Sequence, residues 1–183
     1  MRKSELLLAQ WEEVSFEDSV SEIPAERTNN GKPHVIYMST QTAALFLELR
    51  ELAGDSELVL RGRRSLRKPF AQNALNKALE GVNFGMPSFT IHDLRRTAST
   101  LLHEKGFPSD VIEKALNHAI GGVRGVYNQA EYAEQRCKML QFWADFVEGI
   151  ASEKKSLSDN LRQPNCDKSQ ESQASGSYRL NDL

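Results

Sequence analysis

The stretch FTIHDLRRTASTLLHEKGF, residues 89–107, decides the fold and raises the question of function. Its helix formers and apolar face predict a helix, with His92 and Arg95 three residues apart at its start. A helix N-terminus favours anions, and arginine makes bidentate contacts to phosphate oxygens. The pattern therefore suggests a phosphate cradle. It leaves one alternative open, in which the charges are solvated and His92 is a helix cap.

The residues before this helix predict a short helix and a small sheet. Residues 2–11 are amphipathic, and residues 12–24 place apolar side chains on either side of a turn, which indicates a β-hairpin. Asn-Asn-Gly at 29–31 is a turn signal, and a third strand is expected at residues 34–38. We therefore expect a three-stranded antiparallel sheet.

Helices are predicted for most of the remaining chain, so the predicted fold class is mostly α with a small antiparallel sheet. Thr40 and Ser109 are candidate N-caps, and Gly81 lies near the end of the helix predicted at residues 69–82. The four segments predicted to be helical in addition to residues 89–107 are residues 40–53, 69–82, 108–119 and 128–150.

Composition limits the possible classes of protein. The 183 residues carry a net charge of −2, and no run of about 18 apolar residues predicts a membrane span. Cys137 and Cys166 indicate neither a disulfide framework nor a metal site, which fits a reducing cytosol. From residue 151 the chain is rich in Ser, Gln and Asn. We therefore predict a folded domain at 1–150 and a disordered polar tail at 151–183.

A second pair of candidate residues lies in LNHAIGGVRGVY, residues 116–127. His118 and Tyr127 are joined by a glycine-bearing link. A tyrosine hydroxyl, with a pKa of about 10, becomes a nucleophile only when it is activated, and nearby cations and a histidine can do this. Taken singly, His118 also fits a helix-end role and Tyr127 a packing role.

In order along the chain, the motifs Arg, His-x-x-Arg and Leu-x-His-x8-Tyr resemble the catalytic domain of the tyrosine recombinases, the phage integrase family. Further stretches look like its prophage-integrase branch: RKSELLLAQW, IPAER, GKPHVIYMS, FTIHDLRRTAST, LNHAIGGVRGVYNQAEYAEQR and MLQFWADFV. The resemblance covers roughly residues 1 to 150. It implies site-specific DNA recombination, as in prophage or genomic-island integration, through a 3′-phosphotyrosyl intermediate.

The resemblance also implies roles for single residues. Tyr127 matches the nucleophile, and His118 matches the histidine that moves a proton or binds the phosphate. Arg2 and Arg95 match the arginines that hold the phosphate oxygens. His92 matches a hydrogen-bond donor to the phosphate. Because the phosphotyrosine stores the bond energy, we expect neither a cofactor nor a metal.

Two departures from the family pattern affect this expectation. Asn29 stands where the family usually has a lysine that protonates the leaving 5′-oxygen, and Lys32 is the candidate substitute. The family's core-binding domain and the first helices of its catalytic domain do not precede Arg2 in this sequence. We therefore expect Arg2 to be poorly held at a fraying terminus.

Basic residues suggest how DNA would be bound, although a solvated basic loop is an equal alternative for the cluster at 61–68. The candidate DNA contacts are Arg61, Arg63, Arg64, Arg67, Lys68, Arg96, Lys105 and Arg124. The expected partners are double-stranded attachment sites and further copies of the chain, as in the family's tetrameric synapse. The expected location is the cytoplasm of a bacterium. Two other functions stay open: a truncated, catalytically weak chain that only binds DNA or a partner recombinase, and a helix-turn-helix regulator built on residues 88–118.

Overall fold

Three short strands form the predicted antiparallel sheet, in the order β1-β2-β3. The computed structural model describes residues 1–63, 65–118, 128 and 130–162, with side chains as far as residue 153. The strands are β1 (Val14–Ser15), β2 (Val20–Ile23) and β3 (His34–Tyr37). In the register of β2 and β3, Ile23 pairs with His34. The β2–β3 loop, residues 24–33, therefore leaves the sheet directly beside this pair.

The predicted mostly helical class is confirmed. The helices are α1 (Lys3–Leu7), α2 (Thr40–Ala53), α3 (Ala74–Glu80), α4 (Ile91–Glu104), α5 (Ser109–Ala115) and α6 (Ala133–Arg162), with 3-10 turns at Trp11–Glu13 and Ala25–Arg27. Two predicted caps are wrong. Ser39, rather than Thr40, accepts a hydrogen bond from the Thr42 amide at 3.2 Å. Pro108 occupies the cap position of α5, so Ser109 is its first helical residue.

The basic cluster at 61–68, for which a solvated loop was the alternative, forms part of a two-stranded hairpin instead. Its strands are β4 (Arg61–Gly62) and β5 (Ser65–Pro69). Gly62 permits the pairing, because a Cβ there would lie 2.9 Å from the carbonyl oxygen of Lys68. The next helix was expected from residue 69, but Pro69 is the last residue of β5 and α3 starts only at Ala74.

Two apolar clusters hold the helices and the sheet together. In one, Val111 and Ile112 of α5 pack against Leu102 of α4 and Met139 of α6. In the other, Ala9, which follows α1, and Met38, which follows β3, pack together with Phe46 of α2 and with Val59, which follows α2. Burial of about 1.5–3 kcal/mol per large apolar side chain makes these clusters the main stabilising contribution. Between them they fix α1, α4 and α5, the elements that carry the candidate site.

The C-terminal boundary differs from the prediction. The chain divides into two units, Met1–Phe146 and Val147–Leu183. Residues 151–162, predicted to be disordered, continue α6, because Glu, Lys, Leu and Ser extend a helix that is already nucleated at low cost. Residues 163–183, the rest of the predicted tail, lie outside the described residues. Within the described chain, every helix is too short or too polar to cross a membrane.

Candidate active site

A cavity of about 540 Å³ gathers the residues that the sequence placed in separate motifs. Arg2, His92, Arg95 and His118 all line it. They come from the start of α1, from α4 and from the turn after α5, and as many as 116 residues separate them in sequence. The other described residues in its wall are Met1, Lys3, Ser4, Asn29, Asn76, Thr90 and Ile91.

Both arginines are held by the C-terminal turn of α5. A guanidinium nitrogen of Arg95, Nη2, donates to the Leu116 carbonyl oxygen, and Nη2 of Arg2 donates to the Asn117 carbonyl oxygen at 2.9 Å. The last carbonyls of a helix lack helical partners and carry partial negative charge, so they suit cations. Arg95 also donates to the Met1 carbonyl oxygen at 3.2 Å. The turn thus fixes two positive charges beside one cavity.

A buried carboxylate supports Arg2 from the other side. Glu5 is 1% exposed, and its Oε1 accepts from Arg2 Nη1 at 3.1 Å. Burial alone would raise the pKa of Glu5, but hydrogen bonds from the Arg2 amide and guanidinium lower it overall. The expectation that Arg2 would be poorly held is therefore wrong, because Glu5 and Asn117 orient its guanidinium in this structure.

The positively charged side chain of Arg95 is partly buried. Burial lowers the pKa of the Arg95 guanidinium, and the nearby charge of Arg2 lowers it further. Arginine stays protonated in proteins despite such shifts. The Glu5 carboxylate offsets part of the positive charge of this pair, and an additional anion beside both guanidiniums would be favourable. A phosphodiester supplies the matching negative charge.

His118 is oriented by a neighbour that sequence reasoning missed. Its Nδ1 lies 2.7 Å from Oε2 of Glu113, and its backbone amide donates to the Glu113 carbonyl oxygen at 2.9 Å. A carboxylate on Nδ1 favours the tautomer with the proton on that nitrogen, which leaves Nε2 for other contacts. Because His118 lines the cavity, this arrangement suits a ring that exchanges a proton there.

The start of α4 resolves the alternative in which His92 is a cap. Thr90 Oγ1 accepts from the Asp93 amide at 3.3 Å, and Asp93 Oδ2 accepts from the Thr90 amide at 2.9 Å. This capping box occupies the first turn without His92. The side chain of His92 is exposed and lines the cavity. Because the Asp93 amide donates to Thr90, it contributes less to anion binding than the sequence predicted. The candidate site therefore depends mainly on side chains.

The β2–β3 loop reaches the same cavity through Asn29. Lys32, the predicted substitute for the missing lysine, is not among the described residues that line it, whereas Lys3 is. The amide of Lys32 donates to Asn30 Oδ1 at 3.2 Å, and its carbonyl oxygen accepts from Thr28 Oγ1 at 2.8 Å. Lys32 thus belongs to the turn of the loop rather than to the cavity wall.

Tyr127 lies outside the described residues, but the residue after it is held against α5. Asn128 Nδ2 donates to Asp110 Oδ2 at 3.1 Å and to the Tyr132 hydroxyl at 2.8 Å. Lys114 and Glu131 form an ion pair at 2.7 Å across the same interface. The chain on the C-terminal side of Tyr127 is therefore attached to the helix that precedes His118.

Residues 1–134 match the profile of the phage integrase family. The chain belongs to this family. It is 37% identical over 152 residues to the prophage integrase IntA of Escherichia coli K12 and 39% identical over 151 residues to the prophage integrase IntZ of the same strain. It is also 37% identical over 151 residues to the integrase of Shigella phage Sf6. These matches cover 81–82% of this chain but only 37–39% of each relative.

The candidate DNA contacts of this phage integrase domain differ in how exposed they are. Arg63, Arg67 and Lys68 are exposed on the β4–β5 hairpin, while Arg61 is half-buried. Arg96 is exposed beside Arg95 and lies 3.9 Å from an oxygen of Asp93. None of the described members of this set lines the cavity. Arg64 and Arg124 lie outside the described residues.

Lys105 is the candidate DNA contact that the structure places farthest from the cavity along α4. It follows the last residue of α4, roughly 20 Å along the helix axis from His92. Its ammonium group lies 5.4 Å from the centre of the Phe146 ring. Packing at the end of α4 is thus its main described contact.

Sequence reasoning missed several supporting residues of the integrase site. Glu5 could have been found, because a carboxylate three residues after Arg2 lies on the same helical face. Glu113 gives no such signal, since its contact with His118 depends on the turn that ends α5. Within the described chain, no group of three or more His, Cys, Asp or Glu residues is placed to hold a metal ion.

Proposed function

We propose that this chain carries the catalytic site of a site-specific recombinase that cuts and rejoins DNA through Tyr127. The observation that supports this most is the convergence of Arg2, His92, Arg95 and His118 on one cavity. Two guanidiniums and two imidazoles form a site for a single phosphate group. The resemblance assigns these four residues to the phosphate and Tyr127 to the attack.

The chemistry follows from these charges. The Tyr127 oxygen attacks the scissile phosphorus, the bond from phosphorus to the 5′-oxygen breaks, and a 3′-phosphotyrosyl link forms. Arg2 and Arg95 hold the non-bridging oxygens, whose negative charge grows in the transition state. His118 accepts or relays the tyrosine proton, and Glu113 stabilises the imidazolium. A 5′-hydroxyl of the partner strand reverses the step.

Departure of the 5′-oxygen requires a proton, and among the described lining residues the β2–β3 loop contributes no acid. Asn29 has no acidic proton at neutral pH, and it occupies the position where the family usually has a lysine. Loss of a general acid slows a reaction by about 10²–10⁴-fold. This favours a second candidate function, a chain that binds DNA or a partner recombinase with little cleavage of its own.

The proposed partners are double-stranded attachment sites and other copies of the chain. Exposed Arg63, Arg67 and Lys68 would contact phosphates, which gives affinity that falls as salt rises. Recombination joins two duplexes, so four active chains would act together in a synapse. The proposed location is the bacterial cytoplasm, where DNA and its repair enzymes are available.

Covalent trapping tests the proposal. The protein is incubated, without added metal, with nicked duplexes whose core sequence is randomised, so that cleavage releases a short strand and cannot reverse. Wild type and Tyr37→Phe should give a protein–DNA band on a denaturing gel, and Tyr127→Phe should give none. A band that persists in Tyr127→Phe would contradict the assigned nucleophile. DNA retention without any band would establish the binding function instead.

A further inference from the structure

We propose that Asn30 and Asn117 form a side-chain latch that positions the β2–β3 loop against the active site. Asn30 Nδ2 donates to Asn117 Oδ1 at 2.8 Å, and 87 residues separate the two in sequence. The latch joins the loop to the turn that holds both arginines. Asn30 and Asn117 act as positioning residues, and their effect on cleavage rests on the proposed function.

Asn30 is fitted to this role because both ends of its amide are used. Its oxygen accepts from the Lys32 amide at 3.2 Å, which closes the turn of the loop. Its nitrogen reaches across to α5. Thr28 further stiffens the loop, because its hydroxyl oxygen lies 3.0 Å from the Ala25 carbonyl oxygen and 2.8 Å from that of Lys32, and its one proton is shared between them. A rigid loop attached at Asn30 places the preceding residue, Asn29, in the cavity wall.

Asn117 is equally specific, because its backbone is in the left-handed region with φ at +52°. Glycine adopts this conformation most easily, and asparagine is among the few other residues that tolerate it. Glycine would offer no side-chain acceptor. Asn117 tolerates the left-handed backbone conformation, and its side-chain oxygen accepts a hydrogen bond from Asn30. Its backbone carbonyl oxygen accepts a hydrogen bond from Arg2 at 2.9 Å. One residue therefore links the loop to the phosphate-binding arginine.

The base of the β2–β3 loop has a separate contact with α5, so the latch is expected to position only the tip of the loop. The ring of His34, the first residue of β3, is buried next to the backbone of Ala115 at the end of α5. Loss of the latch should leave the sheet in place and free only the tip. The consequence is loss of position at Asn29 and Asn117 rather than loss of the fold.

The test is a double-mutant cycle of Asn30→Ala and Asn117→Gly, measured by single-turnover cleavage of the nicked duplex. Each variant should retain DNA affinity and cleave up to about tenfold more slowly, the range expected for one hydrogen bond. The double variant should be no slower than the slower single variant, because both changes remove the same contact. Asn83→Ala is the matched control. Asn83 closes an exposed turn in the same way, through the Gly85 amide at 2.9 Å, away from the cavity.

Two results would overturn the latch: cleavage by Asn30→Ala at the wild-type rate, or effects that multiply in the double variant. If wild type does not cleave DNA, the proposed function fails, but the contact between Asn30 and Asn117 can still be tested. Urea unfolding of wild type, the two single variants and the double variant then measures whether the two side chains are coupled. Non-additive losses of stability establish the latch, and additive losses refute it.

Discussion

The two walls of the cavity differ in how firmly the protein prepares them for chemistry. On the α5 side, backbone carbonyl oxygens hold Arg2 and Arg95, and Glu113 orients His118. On the loop side, the exposed and neutral Asn29 stands where the family resemblance predicts a lysine. Under the proposed function, the α5 wall would stabilise charge, whereas the loop wall would offer no group to protonate the leaving oxygen. The difference suggests that charge stabilisation and protonation of the leaving group depend on different elements of one domain.

The largest expected effect tests the α5 wall. Arg95→Ala removes a guanidinium that contacts two backbone carbonyls and lines the cavity proposed to hold the phosphate, so cleavage should fall by about 10²–10³-fold. Arg96→Ala is the matched control, because its side chain is 77% exposed and lies outside the described lining of the cavity. Single-turnover cleavage of the nicked duplex is the measurement. Equal losses in the two variants would show that Arg95 acts only through general charge.

The next effect tests the loop wall. Asn29→Lys restores an ammonium donor beside the leaving oxygen, so cleavage should rise by about 10²-fold. Replacing the 5′-oxygen of the substrate by sulfur should erase this gain, because a thiolate leaves without a proton. Lys32→Ala should leave the oxygen substrate's rate unchanged. A gain that persists with the sulfur substrate would assign the new lysine to DNA binding rather than to proton transfer.

A smaller effect is expected for the carboxylate that orients His118. Glu113→Gln keeps the size of the side chain but removes its charge, so the imidazolium loses its stabilising partner. Cleavage should fall by about tenfold while DNA affinity stays the same. Glu134→Gln controls for loss of an ion pair, since Glu134 binds the exposed Lys138 on α6. A matching loss of affinity would instead indicate that Glu113 maintains the fold of the turn.

The base of the loop predicts a pH effect on stability. Burial, and then the charge of Arg136, lowers the pKa of His34 from 6.5 to about 4. The unfolded chain therefore takes up a proton between these values that the folded chain does not. Stability is therefore highest above pH 6.5 and falls as pH is lowered towards 4, by about 3 kcal/mol over this range and about 2 kcal/mol between pH 7 and pH 5.

Urea unfolding at pH 7 and pH 5 measures this effect. Wild type should lose stability between the two pH values, and His34→Gln should lose less. His103→Gln serves as the control, because His103 is exposed and should leave the wild-type difference intact. Equal pH dependence in wild type and His34→Gln would show that His34 does not titrate abnormally.

Local patterns were sufficient to predict the sheet and the helices, because apolar spacing reports which face of an element is buried. Local patterns could not predict the contacts between segments that are distant in sequence. The carbonyl of Asn117 that receives Arg2 is 115 residues away in sequence, and no periodicity encodes that contact. The convergence of four motif residues on one cavity was expected from the family resemblance alone.

The errors in the prediction have physical causes. The β4–β5 hairpin was missed because β4 has only two residues and β5 is basic and mostly exposed, without the alternation that marks a half-buried strand. The helix beyond residue 150 was missed because composition ignores a helix already nucleated upstream. Arg2 was expected to fray because Glu5, its partner one turn later, was not considered.

The central claim is that the cavity holds a phosphate for attack by Tyr127, one of four tyrosines in the chain. The most direct test is to digest the trapped protein–DNA complex and locate the nucleotide-bearing peptide by mass spectrometry, in wild type and in Arg95→Ala. We predict the nucleotide on Tyr127 in wild type and its near absence in Arg95→Ala. A nucleotide on Tyr37, Tyr132 or Tyr178, or equal labelling of Tyr127 without Arg95, would contradict the claim.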